Sequence, residues 1–441
     1  MNKKLFILII FILSLVLFGC ENGKTKNERG EQILTNEANA AFSFFWETSN
    51  SDENSPGYGF SLDRYPNNPS LSSIASTGFM LAALPYGVEK GFISFNAGYK
   101  RALGTLNSML EVEEVEGFLP HFVNIKTAVR SPGSEISIID TALFLAGAIV
   151  AGEYFQADVL TTADILYERI NWSFYLNETR NLFYMSYRFE EGFSGAWDHI
   201  SEQLLLYVLA AGSESYPIDE TVYQTVRDIS LRDYRGKYRS SILNKETEEF
   251  IYTYNGSLFQ HQFSHAFIDF RDKSDEKGIN WFLNAKEATL ANYYYSKDLS
   301  LRYKSFLDGW GLSASDGPTG YLAFGSKPAK NFTQNGTIAT YASLASINYL
   351  YQEVIDAALY LDTLKDLKGD YGFKDAFNLG PFDNSYNSVI AELSPWYASD
   401  YVGIDKGITL LMWANFENEL IWNLFMNNEK VQKGLEVLMF S

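Results

Sequence analysis

Two glutamates stand at matching places in this chain, each where a carboxyl group is chemically conspicuous. Glu135 follows Ser134 and Glu202 follows Ser201, and each Ser-Glu pair opens onto a run of small and apolar residues, 136–152 and 204–212. A third carboxylate, Asp140, lies inside the first run. An ionised carboxyl group in apolar surroundings is disfavoured unless it is paired, hydrogen-bonded or used. Two such groups facing one cavity can serve a bound molecule as acid and base.

The elements that must carry them are helices. Ser131-Pro132 suits an N-cap and first helical position, with Ser134 as a cap one turn later. From Ile136 the apolar residues cover almost the whole circumference, the pattern of a helix buried on most sides. Both glutamates then fall in a first turn, where the helix dipole favours the charged form and so a base, nucleophile or ligand-binding role rather than an acid. Asp140 lies five residues after Glu135, turned by about 140° over roughly 7.5 Å of helix, so the two do not share a face automatically.

Other residues carry weaker signals. His261 and His265 are spaced i, i+4 as in H-E-x-x-H, but Gln262 stands where the catalytic glutamate would be, so two polar cleft residues are expected and no metal. Asp63-Arg64 is a candidate ion pair or ligand contact on a loop, and Asp316, before Gly-Pro, suits an Asx turn. The loop-borne Trp197, Trp310 and Trp396 are candidate stacking platforms. There is no glycine-rich phosphate loop, Cys/His cluster or nucleophile elbow, and no cofactor is expected.

The 441 residues carry 35 Lys and Arg against 54 Asp and Glu, a formal charge of -19 that repels nucleic acid and anionic lipid and favours a neutral or cationic partner. At 16% aromatic content, rings are abundant for packing and for stacking on ring-shaped ligands. Residues 1–20 read as a targeting segment: Lys3-Lys4, an apolar core over 5–18 too short to span a bilayer comfortably, and Leu17-Phe-Gly-Cys20, which resembles a bacterial lipobox. Cleavage before Cys20 and acylation of its thiol would make a lipoprotein of the cell envelope, facing the periplasm or on the outer membrane. Residues 21–30 read as a flexible tether and 31–441 as one domain.

Helical spacing predicts helices over 31–48, 72–87, 94–112, 134–152, 158–170, 201–212, 260–271, 280–295, 335–350, 351–367, 404–417 and 419–438, with a short hairpin at 175–190 and long loops at 310–329 and 371–401. Wholly apolar and amphipathic helices alternate, which fits the inner and outer rings of an all-α, (α/α)6 toroid. Inner helices joined through outer ones run the same way, so Glu135 and Glu202 would face one mouth.

Several ordered pieces resemble the glucoamylase-like proteins that include glycoside hydrolase family 144. They are Leu62-Asp63-Arg64, Ser73-Ile-Ala-Ser-Thr-Gly78-Phe, Ser134-Glu-Ile-Ser-Ile-Ile-Asp140, Ser201-Glu202-Gln203, Phe259-Gln-His261-Gln-Phe-Ser-His265, Gly311-Leu-Ser-Ala-Ser-Asp316-Gly-Pro318-Thr-Gly-Tyr321 and Tyr371-Gly-Phe-Lys-Asp375-Ala-Phe-Asn378. The resemblance implies an (α/α)6 enzyme that cleaves or transfers glucosyl units at β-1,2 linkages of a neutral glucan. Glycosidases place two carboxyl groups about the scissile bond, and Glu135 and Glu202 are the preferred pair, with Asp140 third. Asp63, Arg64, His121, Trp197, His261, His265, Trp310, Asp316 and Asp375 are the expected substrate contacts. A transglycosylase in the same cleft, or a glycan-binding lipoprotein without catalysis, remain open alternatives.

Overall fold

A computed structural model describes residues 24–441. The targeting segment and Cys20 lie outside them. The tether expectation is corrected at its end: α1 (Lys26–Thr48) begins inside it, because Thr25 and Glu28 form a reciprocal capping box and Gly30 packs on Ile355.

Helices then alternate as the apolar patterning predicts. α2 (Ile74–Glu89), α4 (Ile138–Phe155), α6 (Leu204–Gly212), α8 (Phe263–Phe267), α10 (Thr340–Leu344) and α13 (Gly403–Asn418) are buried almost all round. α1, α3 (Phe95–Leu110), α5 (Ala157–Glu168), α7 (Thr221–Asp233), α9 (Trp281–Leu299) and α11 (Tyr351–Thr363) bury only part of their surface and form the outer layer. These are the two rings of an (α/α)6 toroid. α4 is long and apolar enough to cross a bilayer, but 83% of it is buried inside the ring, so it is a core helix. Two inner helices meet glycine on backbone: a Cβ on Gly147 of α4 would lie 1.9 Å from the Gly78 carbonyl oxygen of α2.

Each inner helix is entered from the same mouth, four of them out of short antiparallel ladders. Leu71–Ser73 pairs with Phe122–Asn124, Ile136–Ser137 with Ser186–Arg188, Ile338–Ala339 with Ala376–Asn378, and Tyr401–Val402 with Arg64–Tyr65. This framing shortens the expected helix over 335–350, whose start is drawn into the ladder with 376–378. The expected 175–190 hairpin is two ladders, the second of which joins Ile136–Ser137. The long 371–401 loop holds the short α12 (Ser388–Leu393). Opposite the mouth, the expected 419–438 helix breaks into α14 (Leu420–Met426) and α15 (Glu429–Val437), where Asn428 caps the second piece. α15 seats Gly434 against the Val208 carbonyl of α6.

Candidate active site

The ladder between Ile136–Ser137 and Ser186–Arg188 changes where the carboxylates stand. Helix α4 starts at Ile138, after the cap Ser137, so Glu135 lies outside it and Asp140 is the acid of its first turn. α6 likewise starts at Leu204, leaving Glu202 before the helix. The first-turn placement of both glutamates is thus corrected: the extended entry strand takes up Ile136–Ser137, and the Ser201–Gln203 turn is pinned by Gln203, which accepts from the Ser201 N–H and donates to the His199 carbonyl.

The 113–130 loop delivers His121 to Glu135. Its backbone N–H donates to the Glu135 carbonyl at 2.9 Å, its carbonyl accepts from Ile74, and its ring stacks on Phe122 with centroids 3.7 Å apart. Nδ1 lies 3.0 Å from Glu135 Oε1, and Nε2 lies 3.7 Å from Asp140 Oδ1. Arg188, from the hairpin lip, reaches the other Glu135 oxygen at 3.3 Å. The His121 bond holds the Glu135 carboxyl down at about 2, against the opposing effect of burial. Burial would lower the His121 pKa, but the charge of Asp140 and the bond to Glu135 overcome it and raise it to about 9. Asp140 receives the Ser137 hydroxyl at 2.5 Å and returns its own N–H to that oxygen. Two donors and a cation therefore stabilise negative charge on this side of the mouth.

Glu202 is in the opposite condition. Its carboxyl accepts from the Ser201 hydroxyl, and its carbonyl accepts from Ser264. Burial raises its pKa, and the charge of Asp140 adds to that rise, while Ser201 and Gln260 only partly offset it. Only its edge remains open to the cleft, as its partial exposure shows. Glu202 is thus biased toward its protonated form at the mouth.

The other wall is a carboxylate network. Arg64 donates to both oxygens of Asp316 at 3.1 and 3.2 Å and to Asp400 at 3.2 Å, with Asp63 at 3.4 Å. The Asp316 N–H donates to Asp375 at 2.6 Å. Asp375 hydrogen-bonds the carboxyl of Asp405, and burial raises both pKa values, so the two share a proton. Behind them Lys406 pairs with Glu37, which accepts the Phe373 N–H at 2.8 Å. Asp63, Arg64, Asp316 and Asp375 are therefore brought together, largely onto one another. Asp400 and Asp405 were not singled out from sequence; the available signal was that Asp405, like Asp140, is an acid at the third position of an apolar helix.

Most of the remaining expected contacts are buried. Trp197 is 4% and Trp310 1% exposed, and the Trp310 indole N–H is spent on the Glu353 carbonyl of α11, so neither offers a free ring face. Trp396 is partly exposed in a strand beside Asn378. His261 and His265 are buried, which lowers their pKa values to about 4 and about 3 and keeps both neutral. His265 packs on Phe270 and Tyr349.

The "Glycoamylase" family model, described as "Putative glucoamylase", matches residues 194–429. A curated relative from Parabacteroides distasonis, named exo beta-1,2-glucooligosaccharide sophorohydrolase (non-reducing end), is 25% identical over 440 residues, covering 92% of this chain and 57% of that protein. The chain thus spans little more than half of that relative's length. A solved structure from Bacteroides uniformis, described as a "putative glucoamylase", is 27% identical with a TM-score of 0.80, covering 95% of this chain and 98% of the other. An endo-beta-1,2-glucanase from Chitinophaga pinensis, solved with sophorotriose and glucose, superposes with a TM-score of 0.79 at 23% identity, covering 93% and 98%.

Proposed function

The chain belongs to the glucoamylase-like family, and on that premise we propose that it is a glycoside hydrolase acting on β-1,2-linked glucan or sophoro-oligosaccharides. The observation that carries the chemistry is the opposed pair at the mouth: Glu202, biased toward its protonated form, and Asp140, held by the Ser137 hydroxyl beside the His121 ring. Glu202 gives its proton to the departing glycosidic oxygen, and Asp140 takes a proton from the water that attacks the anomeric carbon. Glu135, tied up by His121 and Arg188, supports this pair rather than reacting. The substrate class is supported by the names of the relatives, and a neutral glucan meets no charge repulsion from an acidic protein. The lipobox-like Leu17-Phe-Gly-Cys20 supports a lipid-anchored envelope protein, tested by fatty-acid labelling that Cys20→Ala abolishes.

The test of function is incubation of the purified chain with linear β-1,2-glucan. Short oligosaccharides or sophorose are expected. No product from any β-1,2-linked substrate would overturn the assignment, chains longer than the substrate would make it a transglycosylase, and saturable binding without turnover would make it a binding protein.

A further inference from the structure

Both ring nitrogens of His121 face carboxylates, Nδ1 toward Glu135 and Nε2 toward Asp140. A neutral imidazole carries one N–H and would turn a lone pair on one of them; only the imidazolium offers a donor to both. The ring cannot swing away, because Phe122 stacks on it and its backbone is bonded on both sides, to Glu135 and to Ile74. Nδ1 is hydrogen-bonded to Glu135, while Nε2, 3.7 Å from Asp140, makes an ion-pair contact without a hydrogen bond. We propose that His121 is a positioning residue: a fixed cation, hydrogen-bonded to Glu135 and within ion-pair distance of Asp140, that holds the two carboxyl groups in place at the cleft. This rests on the assignment of Asp140 and Glu202 as base and acid.

The groups around the ring agree. Asp63 faces it from the loop before α2, carrying Arg64 on its other side. Glu135 faces it from the residue before the Ile136–Ser137 strand and carries Arg188 from the hairpin lip. Asp140 faces it from α4 itself, with Glu202 beyond. The Tyr175 hydroxyl, held on the Ile136 carbonyl, lies close enough to feel Glu135 and Asp140. The imidazolium is thus directly surrounded by three carboxyl groups, while both arginines stand behind carboxylates. Its elevated pKa, about 9, is the consequence of that surround.

The chain contains four histidines, which makes the test direct. In the full chain labelled at histidine, an NMR titration should show one imidazole still protonated at pH 8 and three neutral, the protonated signal vanishing in His121→Asn and titrating lower in Asp140→Asn. Four neutral rings at pH 8 would overturn the proposal. In steady-state kinetics on β-1,2-glucan, His121→Asn should lower kcat with little change in KM, and His121→Lys, which keeps a cation, should recover part of the loss. A loss of rate that His121→Lys does not recover at all would make His121 merely structural. If the native chain turned over no β-1,2-linked substrate, the proposed function would fail, and the NMR titration would still decide whether His121 is a cation.

Discussion

Asp140 and Asp405 occupy the same place in two inner helices, the third residue of α4 and of α13, yet they meet opposite neighbours. Ser137 precedes α4 and gives Asp140 a hydroxyl donor, with His121 beyond. Val402 precedes α13 and gives none, so Asp405 meets Asp375 and the two share a proton.

That contrast separates the carboxylates by function. Asp140→Asn and Glu202→Gln should each lower kcat by about 100- to 10,000-fold, the range for loss of a general base or acid. Glu135→Gln should cost less at neutral pH, because it removes a supporting charge and leaves both reacting groups. Steady-state kinetics on a β-1,2-linked oligosaccharide checks the ranking, and an unchanged rate for Glu202→Gln would remove it from the site.

The alkaline limb of kcat/KM should report Glu202. An acid acts only while protonated, and burial raises its pKa above the ordinary 4.5, so activity persists above that value and is lost as pH rises through the raised one. A rate profile falling away already at the ordinary glutamate value would contradict a protonated Glu202.

Stability should also depend on pH through the same cluster. His121 has a folded pKa raised from 6.5 to about 9, so its contribution is complete below 6.5 and is lost as pH rises through 9. Glu135 is depressed from 4.5 to about 2, so its contribution is present above 4.5 and is lost as pH falls through 2. Thermal melts of the native chain should therefore decline between pH 6.5 and 9, and His121→Asn should flatten that decline.

Arg64 ties three loops of the opposite wall through Asp63, Asp316 and Asp400. Arg64→Met leaves Asp400, whose side chain is 3% exposed, without its cation, and should cost about 3 kcal/mol in urea unfolding. Arg64→Lys should recover only part of this, since one ammonium cannot reproduce the planar fork that spans both partners.

Gly147→Ala probes the ring itself. The added methyl meets the Gly78 backbone, which has no flexible end to move aside, so α2 and α4 must separate. A loss of about 3 kcal/mol is expected, read as a lower melting temperature.

The sequence by itself determined the toroid and which acids deserved suspicion. Inner helices such as 204–212 are apolar all round and outer ones such as 94–112 are one-sided, and burial leaves that signature in composition. It also put Glu135, Glu202 and Asp140 forward, because carboxylates stand out in apolar runs. What it left undecided was which of them is charged and which is protonated. That depends on His121 and Arg188 arriving from other loops, on Ile136–Ser137 being taken into a strand, and on Glu202 being enclosed by Ser201, Ser264 and Gln260. Asp405 escaped notice for the same reason: its partner Asp375 lies thirty positions away in sequence, and only the closure of α13 onto α2 through Gly403 and Ser76 brings that wall to the mouth. Local pattern records how much apolar surface a helix must hide; a carboxyl group's proton is set by neighbours that only tertiary contact supplies.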